Sequence, residues 1–553
     1  MSHYSKVLNK VPVQIPNKSG FDLSHENLFT AKCGTLYPVM VDTLLPNDTI
    51  SLGHSSQLQL PPMATDFYGR VMGKFEAFFV PFRVLYGGWQ DLITHPVNGD
   101  NYPTGTTANQ KAKVLPTLRG LKSDMLAGSL SDFLGRKIDA LSSDTSSSTQ
   151  DVFNPLPFIA YHKIYNDWYR DSRIQQEVFQ RNHTVASDSA TAYFDSLPYQ
   201  SLYGVNPALI SGANLKCADG VSALSLRQRN WERDYFTNAT PKPQAGDPAQ
   251  LAFSVADGQG SFTIASLRAA NALQQWLERN NIAGYRYGDQ IKAQFGIYPA
   301  DAVTDRAIYL GSHTVDIYNR SVYQTTGLST GENQSVSGNS GYNPFDTVGS
   351  KFGSPQGVGE NSLVDHFTAS EHGFIFVMFS IVPRAYYGTG DRRYLRYARQ
   401  SDFAFPLLAG VGDQEIYLSE LSNEGTGTAA YNSVFGYTQR FSEYKYMDDE
   451  VHGLLRDGQS LSAFALKRSF NQHDVALGSA FLQIPQEFLD QVGAYYGAAT
   501  SEGDARTVNS FGAWCDVFFA YKKVSTLPAY SIPTLGDPKD THTEVIDNGG
   551  KRL

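Results

Sequence analysis

Arginine and tyrosine alternate over one short segment of the chain, which is the segment best equipped to contact a ligand. Guanidinium groups bind phosphate and aromatic rings stack on unpaired bases, so the pattern predicts a contact with single-stranded nucleic acid. Both residue types are also enriched at protein–protein interfaces, where the arginines would pair with carboxylates of a neighbouring subunit. Nothing in the segment indicates base-specific recognition. The candidate residues are Arg392, Arg393, Tyr394, Arg396, Tyr397 and Arg399.

No catalytic or cofactor-binding motif accompanies this segment. The sequence has no HExxH, GxxxxGK[ST] or EF-hand pattern. GTGDRR (Gly388–Arg393) and GVGD (Gly410–Asp413) resemble pieces of dinucleotide-binding loops, but neither opens a helix inside a βαβ unit. His366 and His372 have a spacing typical of neither a helical nor a strand metal site. We therefore expect no catalytic residue, no cofactor, no metal ligand and no enzymatic activity.

The acidic residues and the cysteines are weaker indications of a metal site. Asp448–Glu450 is an acidic run that indicates a solvated surface, with a calcium site as the alternative. Cys33, Cys217 and Cys515 are far apart and have no partner at metal-ligand spacing, so we expect three free buried thiols in a reducing cytoplasm.

The overall charge, the N-terminus and the apolar pattern argue against three broad classes, namely proteins that coat nucleic acid, secreted proteins and membrane-spanning proteins. The 553 residues include 45 Lys and Arg against 54 Asp and Glu, a net charge of −9, whereas a protein that coats nucleic acid is normally basic. The N-terminus lacks the apolar region of a secretion signal. The longest apolar run, Phe374–Val382, is about half of a membrane span. We expect a soluble protein made in the cytoplasm.

The elements that must position the arginine segment are mainly strands, in two groups that are far apart in sequence. Tyr and Phe dominate the apolar residues, with 32 and 33 copies, and this balance favours strands and long loops. Neither group can close a sandwich without unpaired edges, so we predict that they pair with each other in one β-sandwich. The predicted strands are Leu36–Leu44, Val71–Phe82, Gly373–Val382, Asp402–Leu408, Val434–Tyr446 and Phe511–Val524.

The predicted organisation is one discontinuous domain with a large insertion. Periodic apolar residues predict helices near 156–180, 265–282 and 286–295, the first of them after Asn154-Pro155-Leu156-Pro157. Long Gly-, Ser- and Asn-rich stretches, including 182–224 and 325–363, are predicted to be loops that contact partners. The ranges are 1–30 for an extended N-terminal arm outside the sheet, 31–97 and 365–535 for the sandwich, 98–364 for the inserted loops and helices, and 536–553 for a C-terminal tail.

Several sequence blocks together resemble the major capsid proteins of microviruses, most closely the gokushovirus-like ones. They follow the family's order and span most of the chain, so the match is more specific than any single motif. The blocks are PNKSGFDLSHE (Pro16–Glu26), YPVMVDTLLPNDT (Tyr37–Thr49), NPLPFIAYHKIYNDWYRDSR (Asn154–Arg173), RNWERDYFTNATPKPQAG (Arg229–Gly246), HGFIFVMFSIVPRAYY (His372–Tyr387), FGYTQRFSEYKY (Phe435–Tyr446) and PAYSIPTLG (Pro528–Gly536).

The resemblance implies both a fold and a function. The fold would be mainly β: a single eight-stranded antiparallel viral jelly roll with long, partly helical insertions between strands. The function would be that of a structural capsid protein of a small single-stranded DNA bacteriophage, assembling through pentamers into a T=1 icosahedral shell of sixty copies in the host bacterial cytoplasm. The arginine segment would then be an inner-surface contact with DNA, or an intersubunit contact. The family has no catalytic residues to carry over.

The resemblance also implies partners. These are further copies of the chain, a small basic DNA-binding protein, an internal scaffolding protein, a DNA pilot protein, the packaged circular single-stranded DNA and a host surface receptor, with no insertion into a membrane. The net charge of −9 agrees with a division of labour in which another protein neutralises the DNA. The alternative from another class is a carbohydrate-binding or carbohydrate-active β-sandwich protein, in which exposed aromatic residues would stack on sugars.

Overall fold

A computed structural model describes most of the strands and part of the connections. The described residues are 18–60, 68–86, 89, 93, 118–121, 127–136, 150–179, 217, 219–243, 264–324, 351–422, 433–470, 475–489 and 512–529. The predicted C-terminal tail, the first 17 residues and most of the loop 182–224 lie outside these ranges.

Strands dominate the described part of the chain. The strands are β1 (Ser19–Asp22), β2 (His25–Ala31), β3 (Tyr37–Leu44), β4 (Thr49–Gln59), β5 (Val71–Pro81), β6 (Leu118–Leu121), β7 (Gln150–Phe153), β8 (Ile308–Gln324), β9 (Lys351–Thr368), β10 (Gly373–Pro383), β11 (Tyr386–Tyr387), β12 (Asp413–Tyr417), β13 (Val434–Gln439), β14 (Asp449–Glu450) and β15 (Ala513–Ser525). The α-helices are α1 (Phe82–Leu85), α2 (Leu130–Phe133), α3 (Leu156–Ile164), α4 (Ile264–Ala283), α5 (Tyr287–Phe295) and α6 (Ser479–Leu482).

Nine of these strands form one large antiparallel sheet. Its order is β1-β15-β4-β9-β8-β5-β10-β3, and β2 pairs with β15 beside β1. The predicted pairing of early and late segments is confirmed, because β10 lies between β3 and β5, and β15 pairs with β2 and β4. The protein is therefore mainly β, with a single curled antiparallel sheet at its centre.

The sheet curls around a core to which both ends of the chain contribute. On β15, Cys515, Val517 and Phe519 are buried in this core, and the residues between them point outward. On β5, Phe75 and Phe79 enter the same core, as their alternation predicts. Alternation of this kind buries one face of a strand and leaves the other for solvent or a partner.

β10 is different because both of its faces are buried. Ile375, Val377 and Phe379 face the inner core, whereas Phe374 and Phe376 belong to a second cluster on the outside of the sheet. Apolar residues of α3 cover this outer cluster, together with a π-helical turn, Tyr165–Tyr169, that continues the helix. The long apolar run of β10, in which Ser380 is the polar exception, follows from this double burial.

The two ends of the strand order meet and complete the curl. The hydroxyl of Tyr521 on β15 donates to the carboxylate of Asp42 on β3 at 2.7 Å, and the ammonium group of Lys523 lies 3.2 Å from the same carboxylate. The side-chain amide of Asn27 on β2 donates to the carbonyl of Val39 on β3 at 2.7 Å. Polar side chains thus connect strands that share no ladder hydrogen bonds.

Two predicted boundaries are wrong. Residues 1–30 are not wholly an arm outside the sheet, because β1 and β2 pair with β15. Pro12 and Pro16 cannot donate to a strand ladder, but β1 begins after them, at Ser19. Residues 98–364 are not only inserted loops and helices, because β8 and the first part of β9 are long strands at the centre of the sheet.

Glycine explains why the first part of β9, with Gly353, Gly357 and Gly359, resembles a loop in sequence. A Cβ atom at Gly359 would lie 2.5 Å from a side-chain carbon of Val315, and one at Gly311 would lie 2.1 Å from the carbonyl oxygen of Leu363. These glycines allow close approach where the sheet bends, which is a known use of glycine within strands. Glycine content alone cannot distinguish such a strand from a loop.

Other predicted elements differ in extent. Helices α4 and α5 lie where the periodicity predicts them, but the first predicted helix ends at Tyr169 instead of near residue 180. Asp402–Leu408 is not a strand, since 3₁₀ turns occupy Gln400–Asp402 and Pro406–Gly410. The strand predicted over Val434–Tyr446 ends at Gln439 and lies outside the large sheet, where it pairs with β12 and, at one bridge, with Thr240.

The polar contacts between β3 and β15 should contribute measurably to stability. Tyr521→Phe removes the donor to Asp42 from a residue that is 1% exposed, so we expect the free energy of unfolding to fall by about 1–3 kcal/mol. Chemical denaturation of the unassembled subunit measures this change. Tyr287→Phe, at a tyrosine that is 70% exposed, is the control. Equal effects of the two substitutions would contradict a role for the hydroxyl in closing the sheet.

A buried histidine pair should make the sheet less stable in acid. Burial and the neighbouring His313 lower the pKa of His54 to about 4. Nδ1 of His313 lies 3.2 Å from Nε2 of His54. The unfolded chain, with an ordinary histidine pKa, binds more protons between about pH 6.5 and 4, so stability is lost as the pH falls through this window. His54→Gln should flatten the dependence of the denaturation midpoint on pH. An unchanged slope in this variant would contradict the assignment.

Candidate interaction surface around the arginine segment

The arginine segment lies outside the large sheet, in the connection between β11 and β12. Arg393–Arg396 form one 3₁₀ turn, and the next turn begins at Gln400. The carboxylate of Asp402 accepts hydrogen bonds from the backbone amides of Ala398 and Arg399 at 2.9 and 2.8 Å. These bonds lower the pKa of Asp402 and fix the path of the chain between the two turns.

Three of the four arginines are held by groups of the same chain. Arg393 lies 3.0 Å from Glu420 and 3.6 Å from Glu443, and Arg392 pairs with Glu450. The guanidinium group of Arg396 stacks 4.2 Å from the ring centre of Tyr417 and donates to Ser419. Intrachain pairing therefore uses much of the positive charge that the sequence places here.

Glu420 makes the pairing with Arg393 structurally important. Its side chain is 3% exposed, and burial raises its pKa although Arg393 acts in the opposite direction. The hydroxyl of Tyr235 donates to the same carboxylate at 3.0 Å. Removing Arg393 would leave a buried carboxylate with fewer partners.

One tyrosine of the segment, Tyr397, contacts residues of the same chain, and the other, Tyr394, is exposed. Tyr397 donates to Glu443 at 2.9 Å and stacks on Tyr444 with an interplanar angle of 17°. Tyr394 and Leu395 are exposed, as is Arg399. The side chains that remain for a partner are thus one ring, one aliphatic group and one guanidinium group.

A small cavity of about 160 Å³ lies beneath the segment. Its charged lining comprises three arginines and five acidic residues, namely Arg392, Arg393, Arg456, Asp391, Glu420, Glu443, Asp448 and Glu450. Burial, together with the nearby Asp234, raises the pKa of Asp448 to about 7. The lining therefore carries no excess of positive charge with which to attract phosphate.

The acidic run Asp448–Glu450 is more than a solvated surface. Asp449 pairs with Arg384, and Glu450 contacts both Arg392 and His452. Within the described ranges, no group of three or more His, Cys, Asp or Glu side chains is arranged to hold a metal ion. The described residues include three cysteines, Cys33, Cys217 and Cys515, and all three are buried and free.

Exposed apolar side chains surround the arginine segment, and the sequence did not reveal them. Leu407 is 91% exposed and Met447 86%, and the ring of Phe403 packs 5.2 Å from that of Tyr397. Exposed apolar patches of this kind are typical of protein–protein contacts. We call this surface the apolar rim; it comprises Tyr394, Leu395, Phe403, Phe405, Leu407, Val411, Tyr444, Tyr446 and Met447.

The sequence signal for the apolar rim was ambiguous. Phe403, Phe405 and Leu407 alternate with other residues, which is the pattern of a strand with one buried face. This alternation predicts a strand over Asp402–Leu408. Alternation reports which residues share a face, but it does not report whether that face meets the protein's own core or a partner.

Comparison with known proteins identifies the family. A family model described as "Capsid protein (F protein)" matches residues 9–260 and 247–535. The chain belongs to this family of phage capsid proteins. It is 24% identical to capsid protein VP1 of Chlamydia phage 1, over 95% of this chain and 97% of that protein, and 25% identical to capsid protein VP1 of Bdellovibrio phage phiMH2K, over 85% and 88%.

A third relative, capsid protein VP1 of Spiroplasma virus 4, is 22% identical over 80% of this chain and 83% of the relative. The resemblance to gokushovirus-like major capsid proteins is confirmed. Membership of the capsid family gives the chain a structural role, self-assembly into a shell and a place in the virion. No helix in the described part of the chain is long and apolar enough to cross a membrane.

The pairing of Arg393 predicts a stability effect that a simple surface contact would not have. Arg393→Ala leaves Glu420 buried with one partner fewer, so we expect a loss of about 3 kcal/mol in the free energy of unfolding. Arg399→Ala, in the same segment but exposed, should change this free energy by less than about 0.5 kcal/mol. Chemical denaturation of both variants measures the difference, and equal stabilities would contradict the structural role of Arg393.

Proposed function

We propose that copies of this capsid protein assemble through pentamers into a T=1 icosahedral shell that encloses a circular single-stranded DNA genome. The observation that carries the proposal is the order of strands in the curled sheet, together with family membership. The role is structural, and the proposal includes no catalysis. Assembly takes place in the cytoplasm of the host bacterium.

The strand order supports a viral jelly roll. If the short β1 is set aside, the remaining eight strands divide into β2-β15-β4-β9 and β3-β10-β5-β8. Along the chain, β2, β3, β4 and β5 alternate between these two halves, and β8, β9, β10 and β15 alternate in the same way. Two interlocking sets of four strands are the arrangement of a jelly roll, which is a common fold of viral capsid subunits.

The apolar rim supports a contact between copies. A closed symmetric shell needs different patches on each subunit for its different symmetry axes. The apolar rim offers exposed aromatic and aliphatic side chains, and Arg399 beside it can pair with a carboxylate of a neighbour. Since the other arginines of the segment are engaged within the chain, we assign Arg392–Arg399 to an intersubunit surface and not to a DNA contact.

The charge of the subunit supports the proposed partners. A net charge of −9 provides no general attraction for DNA phosphates, so a separate small basic protein should neutralise the genome. Scaffolding, DNA pilot and host receptor proteins complete the proposed set of partners, as the family resemblance implies.

A substitution in the apolar rim tests both assembly and the assigned surface. Leu407→Glu places a charge on a side chain that is 91% exposed, so the subunit should fold while pentamers and shells are lost. Sedimentation velocity with the co-expressed virion proteins, followed by negative-stain imaging, measures the outcome. Thr314→Glu, on an exposed position of β8, is the matched control.

Different results would contradict the two parts of the proposal, which are self-assembly and the assignment of the apolar rim to an interface. Normal shells from Leu407→Glu would remove the apolar rim from the interfaces but leave the capsid function intact. A native protein that stays monomeric with all its partners present would contradict self-assembly itself.

A further inference from the structure

A groove lies on the outer face of the large sheet, away from the arginine segment. Its volume is about 810 Å³, which is within the range of small-molecule sites. Strands β2, β15 and β4 form its floor, and residues 127–133, around α2, form one wall. No residue of the apolar rim lines it, whereas the core residue Cys515 is part of its lining.

The floor of the groove presents an aromatic ring surrounded by polar groups. Trp514 is 48% exposed and lies between Thr30 of β2 and Gln59 of β4 in the pairing register. The next outward residue of β15, Asp516, lies between Leu28 and Gln57. The outward face of these strands therefore places an indole beside amide, hydroxyl and carboxylate groups.

Phe518 extends the platform along the strand. It is 45% exposed and shares the outward face with Trp514, about 13 Å away at the usual rise of an extended chain. An exposed aromatic pair on a regular, antiparallel sheet is positioned rigidly, because neighbouring strands flank β15 on both sides over this stretch. Rigid presentation reduces the entropy lost when a ligand binds.

The charge of the lining determines which ligands fit. The polar part of the described lining consists of Asn27, Thr30, Gln57, Gln59 and the carboxylates of Asp132 and Asp516, and Leu28, Phe29 and Phe133 add apolar surface beside Trp514. The described lining contains no lysine, arginine or histidine. Sites for single-stranded nucleic acid combine aromatic platforms with positive charge, which the described lining of this groove lacks. A neutral ligand with many hydroxyl groups suits the lining, because carboxylates accept from hydroxyls while amides both donate and accept.

We propose that this groove binds a neutral oligosaccharide, with a sugar ring stacked on Trp514 and its hydroxyls hydrogen-bonded to Gln57 and Asp516. Sugar rings have an apolar face of C–H groups that packs on an indole, and hydroxyl groups at the edge that need polar partners. The inference does not depend on the geometry of the shell. It adds a glycan-binding site to a structural protein.

Fluorescence titration of the subunit and of assembled particles tests the site. The probes are maltotriose, cellotriose and tri-N-acetylchitotriose at up to millimolar concentrations. We expect at least one of them to bind and to perturb tryptophan emission, and Trp514→Ala to weaken that binding by about tenfold or more. Trp514→Phe should retain part of the affinity because it keeps a ring at the same position.

A second tryptophan supplies the control. Trp276 on α4 is 47% exposed, nearly the same fraction as Trp514, and Trp276→Ala should leave saccharide binding unchanged. Gln57→Ala should weaken binding without altering the aromatic platform. Equal effects of Trp514→Ala and Trp276→Ala would overturn the location of the site.

The remaining outcomes identify a different occupant. Binding of the oligonucleotide (dT)8 or of octalysine through Trp514, without binding of any saccharide, would overturn the proposal in favour of nucleic acid or a basic peptide. Loss of shell assembly in Trp514→Ala, again without saccharide binding by subunit or particle, would make the groove a subunit contact. A failure of Leu407→Glu to block assembly has no bearing on this site, so the two proposals are tested independently.

Discussion

The curled sheet holds its shape because its two ends meet, and most of the structure depends on that closure. β3 and β15 are separated by more than 460 residues of sequence, yet Tyr521 donates to Asp42 across the gap between them. The enclosed core draws its apolar side chains from strands at both ends of the chain. A contact of such long range forms late and slowly, because the intervening chain must be ordered before it contributes stability.

The same closure explains where the protein can interact. Residues that alternate along a strand enter the core on one side and appear outside on the other, so each buried cluster has an outward counterpart. β10 uses its outer face against α3, whereas β15 leaves Trp514 and Phe518 on its outer face exposed. The connections that leave the sheet carry the apolar rim. A subunit built in this way combines a rigid centre with several separate contact surfaces.

The arginine segment shows that the number of arginines in a sequence segment does not determine the charge that the folded segment presents. Four arginines within eight residues suggest a basic surface, but Glu420, Glu443 and Glu450 come from distant parts of the chain to pair with two of them, Arg392 and Arg393. A third, Arg396, stacks on Tyr417. Pairing with carboxylates was anticipated, although from a neighbouring subunit and not from the same chain. The local result is an ordered turn that presents Tyr394 and Leu395 outward.

The sequence by itself determined the strands with strong apolar alternation, the helices α4 and α5, and the pairing of early with late segments. Those features depend on local periodicity and on the rule that sheet edges must be covered. It also determined the family, because the matching blocks occur in order along most of the chain. Only the tertiary structure decided that β8 and the glycine-containing β9 are central strands, because Gly311 and Gly359 permit close approach to neighbouring strands.

The tertiary structure also decided which charges and which apolar residues are available to partners. The partners of Arg393 lie 27 and 50 residues away in the chain, and no local pattern indicates them. Phe403 and Leu407 have the same residue types as a buried strand, yet they lie on the surface because nothing in the described part of the fold covers them. Periodicity identifies the face to which a residue belongs, whereas burial and pairing depend on what the folded chain brings opposite that face.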